Sequence, residues 1–203
     1  MIIEKRSGVR FAEFLKARIF DRVGMPWTLA REDGRAAVQR RAFGHSRRNG
    51  TWVRTDQSST SAVLGDGGIY SSVSELYRWS NALETRELLG DSLRAQLFRQ
   101  GTRSDSIGVD YGFGWYLETT HALPRTRHTG SSIGFRNAII RYPTLRATII
   151  VLTNRNNANA AALAEAIAER LTAVKHDPRW TLQQSGVTSS FRGLSAVSGL
   201  VAW

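Results

Sequence analysis

Residues 127–137 read RHTGSSIGFRN. A histidine (His128), a threonine (Thr129), a glycine (Gly130) and two serines (Ser131, Ser132) stand together at the start of a strand-like run, and such a stretch could line an active site. Histidine exchanges protons near neutrality, hydroxyls both donate and accept, and glycine admits a close backbone approach. One reading of the string fails. Gly130–Gly134 matches G-x-S-x-G, but that elbow needs a strand turning into a helix. Here the segment runs into strand-like Phe135–Tyr142, and downstream Asp177 follows His176 rather than preceding it. Metal chemistry has no better footing: His45, His121, His128 and His176 are far apart, with neither H-x-x-x-H nor H-E-x-x-H. The glycines at 65, 67 and 68 lack the G-K-[ST] ending of a phosphate loop.

The elements around the string can be placed from periodicity. Phe11, Phe14, Leu15 and Ile19 share a helical face over 9–20, with Pro26 beyond the stop. Residues 30–62 read as a long excursion with at most short strands near Thr51-Trp52-Val53. Ser72 followed by Glu75 predicts a capping box opening a helix that carries Leu76, Trp79 and Leu83 on one side. A short helix is expected from Asp91 or Ser92 to Phe98, and DYGFGWYL (110–117) reads as one strand. Residues 135–142 and 147–153 form a hairpin turning at Pro143. A helix over 158–174 repeats Leu163, Ile167 and Leu171 every four residues.

Bulk properties bound the function. A chain of 203 residues with 41% hydrophobic and 22% charged residues has globular rather than disordered composition. Its net charge of +11 comes mostly from scattered arginine, without the aromatic interleaving of a nucleic-acid site, so no nucleic-acid partner is expected. Apolar runs such as Ile149–Leu152 are far short of a membrane span. Zero cysteines exclude disulfides and thiolate chemistry. No secretory pattern is read in MIIEKRSGVRF, and localisation is left open.

The order helix 9–20, GDGGIYSS with its helix, YGFGW, HTGS, hairpin and final helix resembles the C-terminal portion of the serine β-lactamase-like family, which includes β-lactamases, penicillin-binding proteins, D-aminopeptidases and related esterases. The resemblance covers about residues 2–174 and is strongest over 65–83 and 111–156. It implies an α+β fold of the α/β sandwich type: an antiparallel sheet flanked by helices, truncated by loss of its N-terminal part. Residues 1–175 would form the C-terminal part of the hydrolase domain, and 176–203 a poorly ordered tail. About three central strands are expected, with one unpaired apolar edge available for self-association, and a cleft with one wall, roofed in part by 30–62.

What the resemblance implies for the site is specific. His128-Thr129-Gly130 matches the family's Lys-Thr-Gly or His-Thr-Gly element on an edge strand beside the cleft. His128 would orient or polarise groups at the acyl centre, and Thr129 would hydrogen-bond a carboxylate or amide of a small-molecule or peptide substrate. Gly130 would permit close approach, and the Ser131 N–H would form one arm of an oxyanion hole. No cofactor or metal is implied. The family's nucleophile, the serine of Ser-x-x-Lys, is absent here, as is Tyr-x-Asn. The lysines are Lys5, Lys16 and Lys175, and the nearest imitation, Thr172-x-x-Lys175, ends the last helix. In relatives, text like MIIEKRSGVRFAEFL follows Tyr-Ser-Asn, so the nucleophile is expected upstream and this chain is expected to be inactive alone. The alternative is a non-catalytic module that binds peptidoglycan-like peptides or a protein partner.

Overall fold

The structure, a computed structural model, describes residues 2–32, 38–56, 64–104 and 109–173, so the expected tail lies outside the described residues. The chain opens with α1 (Ile2–Ser7) and α2 (Phe11–Leu15), which passes into a π-helical turn over Lys16–Phe20. The predicted helix over 9–20 is therefore present but widens at its end, where Asp21 N–H donates to Lys16 O at 2.9 Å. Gly24, at φ 67°, ends the element before Pro26 is reached. Phe20, Val23 and Met25 bury together with Ala82, and Leu15, Ile19 and Trp79 pack against them.

Short strands follow: β1 (Leu29–Ala30), the hairpin β2 (His45–Arg48) and β3 (Thr51–Arg54), and β4 (Ile69–Tyr70), which pairs with β1. Then come α3 (Val73–Ala82) and α4 (Asp91–Leu97). Ser72 caps α3, its hydroxyl accepting from Glu75 N–H at 3.3 Å. The second half of the expected capping box is not made. The buried Glu75 carboxylate accepts instead from Trp27 N–H at 3.0 Å and from the Thr28 hydroxyl, fastening the chain before β1 to α3.

The centre is one antiparallel sheet of β5 (Thr102–Ser104), β6 (Val109–Tyr111), β7 (Tyr116–Thr120), β8 (Leu123–Ser132), β9 (Phe135–Tyr142) and β10 (Ala147–Thr153), each strand beside the next in sequence. Two expectations are corrected here. The sheet has six strands rather than about three, with β5 added at its border, and DYGFGWYL is not one strand. It folds back over Gly112–Trp115, with Gly114 at φ 80° and Gly112 N–H bonded to Trp115 O at 2.8 Å. Gly112 has a steric reason: a Cβ there would stand 2.7 Å from Leu97 O. The predicted β9–β10 hairpin is present with its ends as expected, turning through Pro143–Leu145 and Arg146 at φ 50°.

α5 (Ala160–Ala173) covers one face of this sheet. Ala138, Ile140, Tyr142, Ile149 and Val151 bury against Ala160, Ala164 and Ala168. Each large member contributes about 1.5–3 kcal/mol of burial. Of the expected four-residue repeat, Ile167 and Leu171 pack against this cluster while Leu163 is 46% exposed, and alanines, whose small side chains let the helix approach, take the centre. On the opposite face α3 lies over β9 and β10, held by Arg141 and by Ser80 Oγ, which is 2.8 Å from Thr148 Oγ1. Among the described residues no strand pairs with the outer edge of β10. No described helix is long and apolar enough to cross a membrane.

Candidate functional site

β8 carries the candidate residues and is held differently along its length. Residues 123–127 pair with β7, and residues 126–132 pair with β9. The strand as a whole is interior, which corrects the expectation of an edge strand. Its second half nevertheless has a free border, because β7 begins at Tyr116, opposite Arg127, and the preceding residues turn away.

The register determines what that border presents. The hairpin closes on Ser132–Phe135, so the mutually hydrogen-bonded rungs of an antiparallel pair fall at residues 132, 130 and 128 of β8. The N–H and C=O groups of Thr129 and Ser131 alternate with these and point away from β9, to the side β7 has vacated. They have no partner among the described residues. Thr129, Gly130 and Ser131 are exposed, and His128 is half-buried. A Cβ on Gly130 would meet only Asn137, at 3.8 Å, so the protein's own packing does not demand glycine there.

His128 is enclosed by tyrosines. Its Nε2 lies 3.1 Å from the Tyr111 hydroxyl, and its ring stacks on Tyr116 at 5.9 Å and 27°. Tyr111 meets Tyr116 edge-on at 4.9 Å, and the Arg127 guanidinium covers Tyr116 at 4.7 Å. Burial, with Tyr116 adding to it, raises the Tyr111 pKa above its ordinary value. Sequence reasoning missed both tyrosines. Tyr111 and Tyr116 flank the glycine turn of the YGFGW string, and only the sheet register brings them to His128.

The β2–β3 hairpin stands beside the far end of the strand. A Cβ on Gly134 would lie 2.5 Å from both His45 N and Thr55 O, and one on Gly44 would lie 3.1 Å from Gly134 Cα. Only glycine on both sides allows this contact. Backbone bonds of 2.9 Å between His45 and the chain after β10, at Asn154 and Asn156, complete the seat. Part of the predicted excursion is therefore docked at the Ile133–Gly134 turn.

The other residues weighed for chemistry are not assembled into a site. His45 and His121 lie on separate elements, and no metal-binding group of His, Asp and Glu exists among the described residues. His176 and Lys175 lie outside the described residues. The Thr172 hydroxyl is occupied by Ala168 O at 2.9 Å, and Lys16 pairs with Asp21. A cavity of about 410 Å³ between α4 and the β7–β8 hairpin, lined by Arg94, Phe98, Leu117 and Arg125, includes none of residues 128–131.

A family model described as Beta-lactamase matches residues 1–173. The chain is 29% identical over 167 residues to penicillin-binding protein 4* of Bacillus subtilis, an alignment covering 76% of this chain and 37% of that one. It is 28% identical to the D-aminopeptidase of Gluconobacter oxydans over 90% of this chain and 34% of that one. The chain thus spans about a third of the length of these curated relatives. Among solved structures, the octameric penicillin-binding protein homologue from Pyrococcus abyssi superposes with a TM-score of 0.75 at 21% identity, over 85% of this chain and 40% of that one. A penicillin-binding protein from Bacillus halodurans gives 0.71 at 24% identity, over 84% and 52%.

Proposed function

Since the chain belongs to the β-lactamase family, we propose that it carries the substrate-receiving wall of a serine hydrolase acting through an acyl-serine intermediate on an amide, ester or β-lactam carbonyl. The observation that carries this reading is the free border at Thr129 and Ser131. Unpartnered backbone groups on an open strand edge accept an extended substrate as an added strand. The Ser131 N–H then serves as one arm of an oxyanion hole, and loss of one such donor costs on the order of 10²–10³ in rate. Thr129 offers a hydroxyl to a substrate carboxylate or amide, Gly130 leaves room for it, and His128 orients or polarises the acyl centre. The name of the D-aminopeptidase relative favours substrates built from D-amino acids.

The sequence holds no Ser-x-x-Lys, so we take the chain on its own to bind without turning over. The unpaired β10 edge, which carries Ile149–Leu152, is the surface proposed for self-association.

Titration of the ¹⁵N-labelled chain with D-alanyl-D-alanine peptides and with D-amino-acid amides tests the reading. Amide shifts should concentrate at 128–132. Shifts confined to the α4 cavity, or none at millimolar ligand, would contradict it.

A further inference from the structure

The two nitrogens of His128 are not equivalent in this fold. We propose that Tyr111 is a positioning residue that donates its hydroxyl proton to His128 Nε2, fixing the neutral ring as the Nδ1–H tautomer and leaving Nδ1–H as the nitrogen that works. The proposal deepens the reading of His128 as a site residue and rests on it for its functional meaning, though not for its geometry.

Three observations carry it. The Tyr111 Oη to His128 Nε2 distance of 3.1 Å is that of a hydrogen bond, and neither atom has another partner among the described residues. A phenol is the more acidic donor and an imidazole nitrogen the better acceptor, so the proton sits on oxygen and points at nitrogen. The raised Tyr111 pKa keeps that proton in place through neutral and mildly alkaline pH. Finally, both rings are held by their surroundings. Tyr116 stacks on the imidazole and meets Tyr111 edge-on, Arg127 covers Tyr116, and the Tyr111–Tyr116–Arg127 rungs cross three consecutive strands. The Tyr111 backbone is fixed in turn by Gly101 N–H, which donates to Tyr111 O at 2.9 Å.

The chemical consequence is definite. With Nε2 occupied, His128 cannot take a proton there without breaking the tyrosine bond. It acts as a donor, polarising a carbonyl or a leaving group through Nδ1–H, and not as the general base.

Long-range ¹H–¹⁵N correlation of the ring nitrogens in the full, histidine-labelled chain reads the tautomer directly, at about pH 9, where an ordinary histidine is neutral. His128→Gln identifies the His128 signals. The wild-type ring should show a protonated Nδ1 and an unprotonated Nε2. Tyr111→Phe, an isosteric change whose fold is checked by the remaining amide spectrum, should shift His128 toward the Nε2–H form that free side chains prefer. Tyr116→Leu, which removes the stack and keeps the bond, should leave the tautomer unchanged. A wild-type Nε2–H ring, or an unchanged ring in Tyr111→Phe, would overturn the proposal. The readout contains no substrate, so its failure would leave the peptide titration intact. Failure of that titration would equally leave the tautomer standing.

Discussion

Arg141 joins the two layers of the domain, and replacing it with methionine gives a prediction with a calculable size. Its side chain is 2% exposed. Nε donates to Ser80 Oγ at 2.8 Å and Nη2 to Ser80 O at 3.1 Å, while Glu84 supplies the counter-charge. The guanidinium lies over Trp115 and Phe98 at 5.3 and 5.2 Å. Burial lowers its pKa, and Glu84 opposes the change. Hydrogen bonds made by a charged group are worth about 1.5–3 kcal/mol each, and the orphaned Ser80 carbonyl costs about 1–3 kcal/mol. Methionine refills the apolar space beside Trp115 and recovers part of this loss. Glu84 is 43% exposed, so it stays hydrated and escapes the penalty of an uncompensated buried charge. The net expectation for Arg141→Met is a loss of about 2–4 kcal/mol, or roughly 5–12 °C in Tm for a chain of this size. Urea unfolding followed by tryptophan fluorescence measures it, since Trp115 stacks on Trp79 at 5.7 Å beside the lost group. Arg141→Lys should recover little, because an ammonium cannot engage both Ser80 atoms as the planar fork does. Glu84→Gln should cost under about 1 kcal/mol. A loss below about 1 kcal/mol for Arg141→Met would refute the reasoning.

Gly134→Ala places a Cβ 2.5 Å from two backbone atoms, so we expect about 1–3 kcal/mol of destabilisation in urea and amide shifts in His45–Thr55. Tyr111 has a folded-state pKa above 10, so between about pH 10 and that value the unfolded chain ionises first and stability falls as pH rises. Denaturant midpoints measured from pH 8 to 11 should show this decline reduced in Tyr111→Phe and no Tyr111-dependent slope below pH 9. A charge on the unpaired strand, Leu152→Lys, should lower the apparent mass in sedimentation at high protein concentration. An unchanged mass would remove β10 as the self-association surface.

What can be read from the sequence follows how local each signal is. The β9–β10 hairpin and α5 are legible because β-branched runs, a proline turn and a four-residue repeat are local patterns. Ile167 and Leu171 do pack inward, but the centre of that face is not legible, since Leu163 outweighs alanine in hydrophobicity while the close approach to Ile140 and Tyr142 selects small residues. Glu75 announces a cap correctly at Ser72, but the partners of its carboxylate, Trp27 and Thr28, are more than 40 residues away in sequence. The string YGFGW shows its glycines yet hides its turn, and with it the division of one expected strand into β6 and β7. Likewise His128, Thr129 and Ser131 can be named from their order alone. The free border beside Ser131 and the bond from Tyr111 depend on where β7 stops, a matter of register that no local window contains.

Intact-mass analysis of the purified chain after incubation with a chromogenic cephalosporin and short-chain nitrophenyl esters, alongside measured turnover, bears most directly on the central claim. A receiving wall without its own attacking hydroxyl predicts an unchanged mass and no hydrolysis above background. An acyl adduct on any serine of this chain, together with turnover that vanishes when that serine is replaced by alanine, would contradict it.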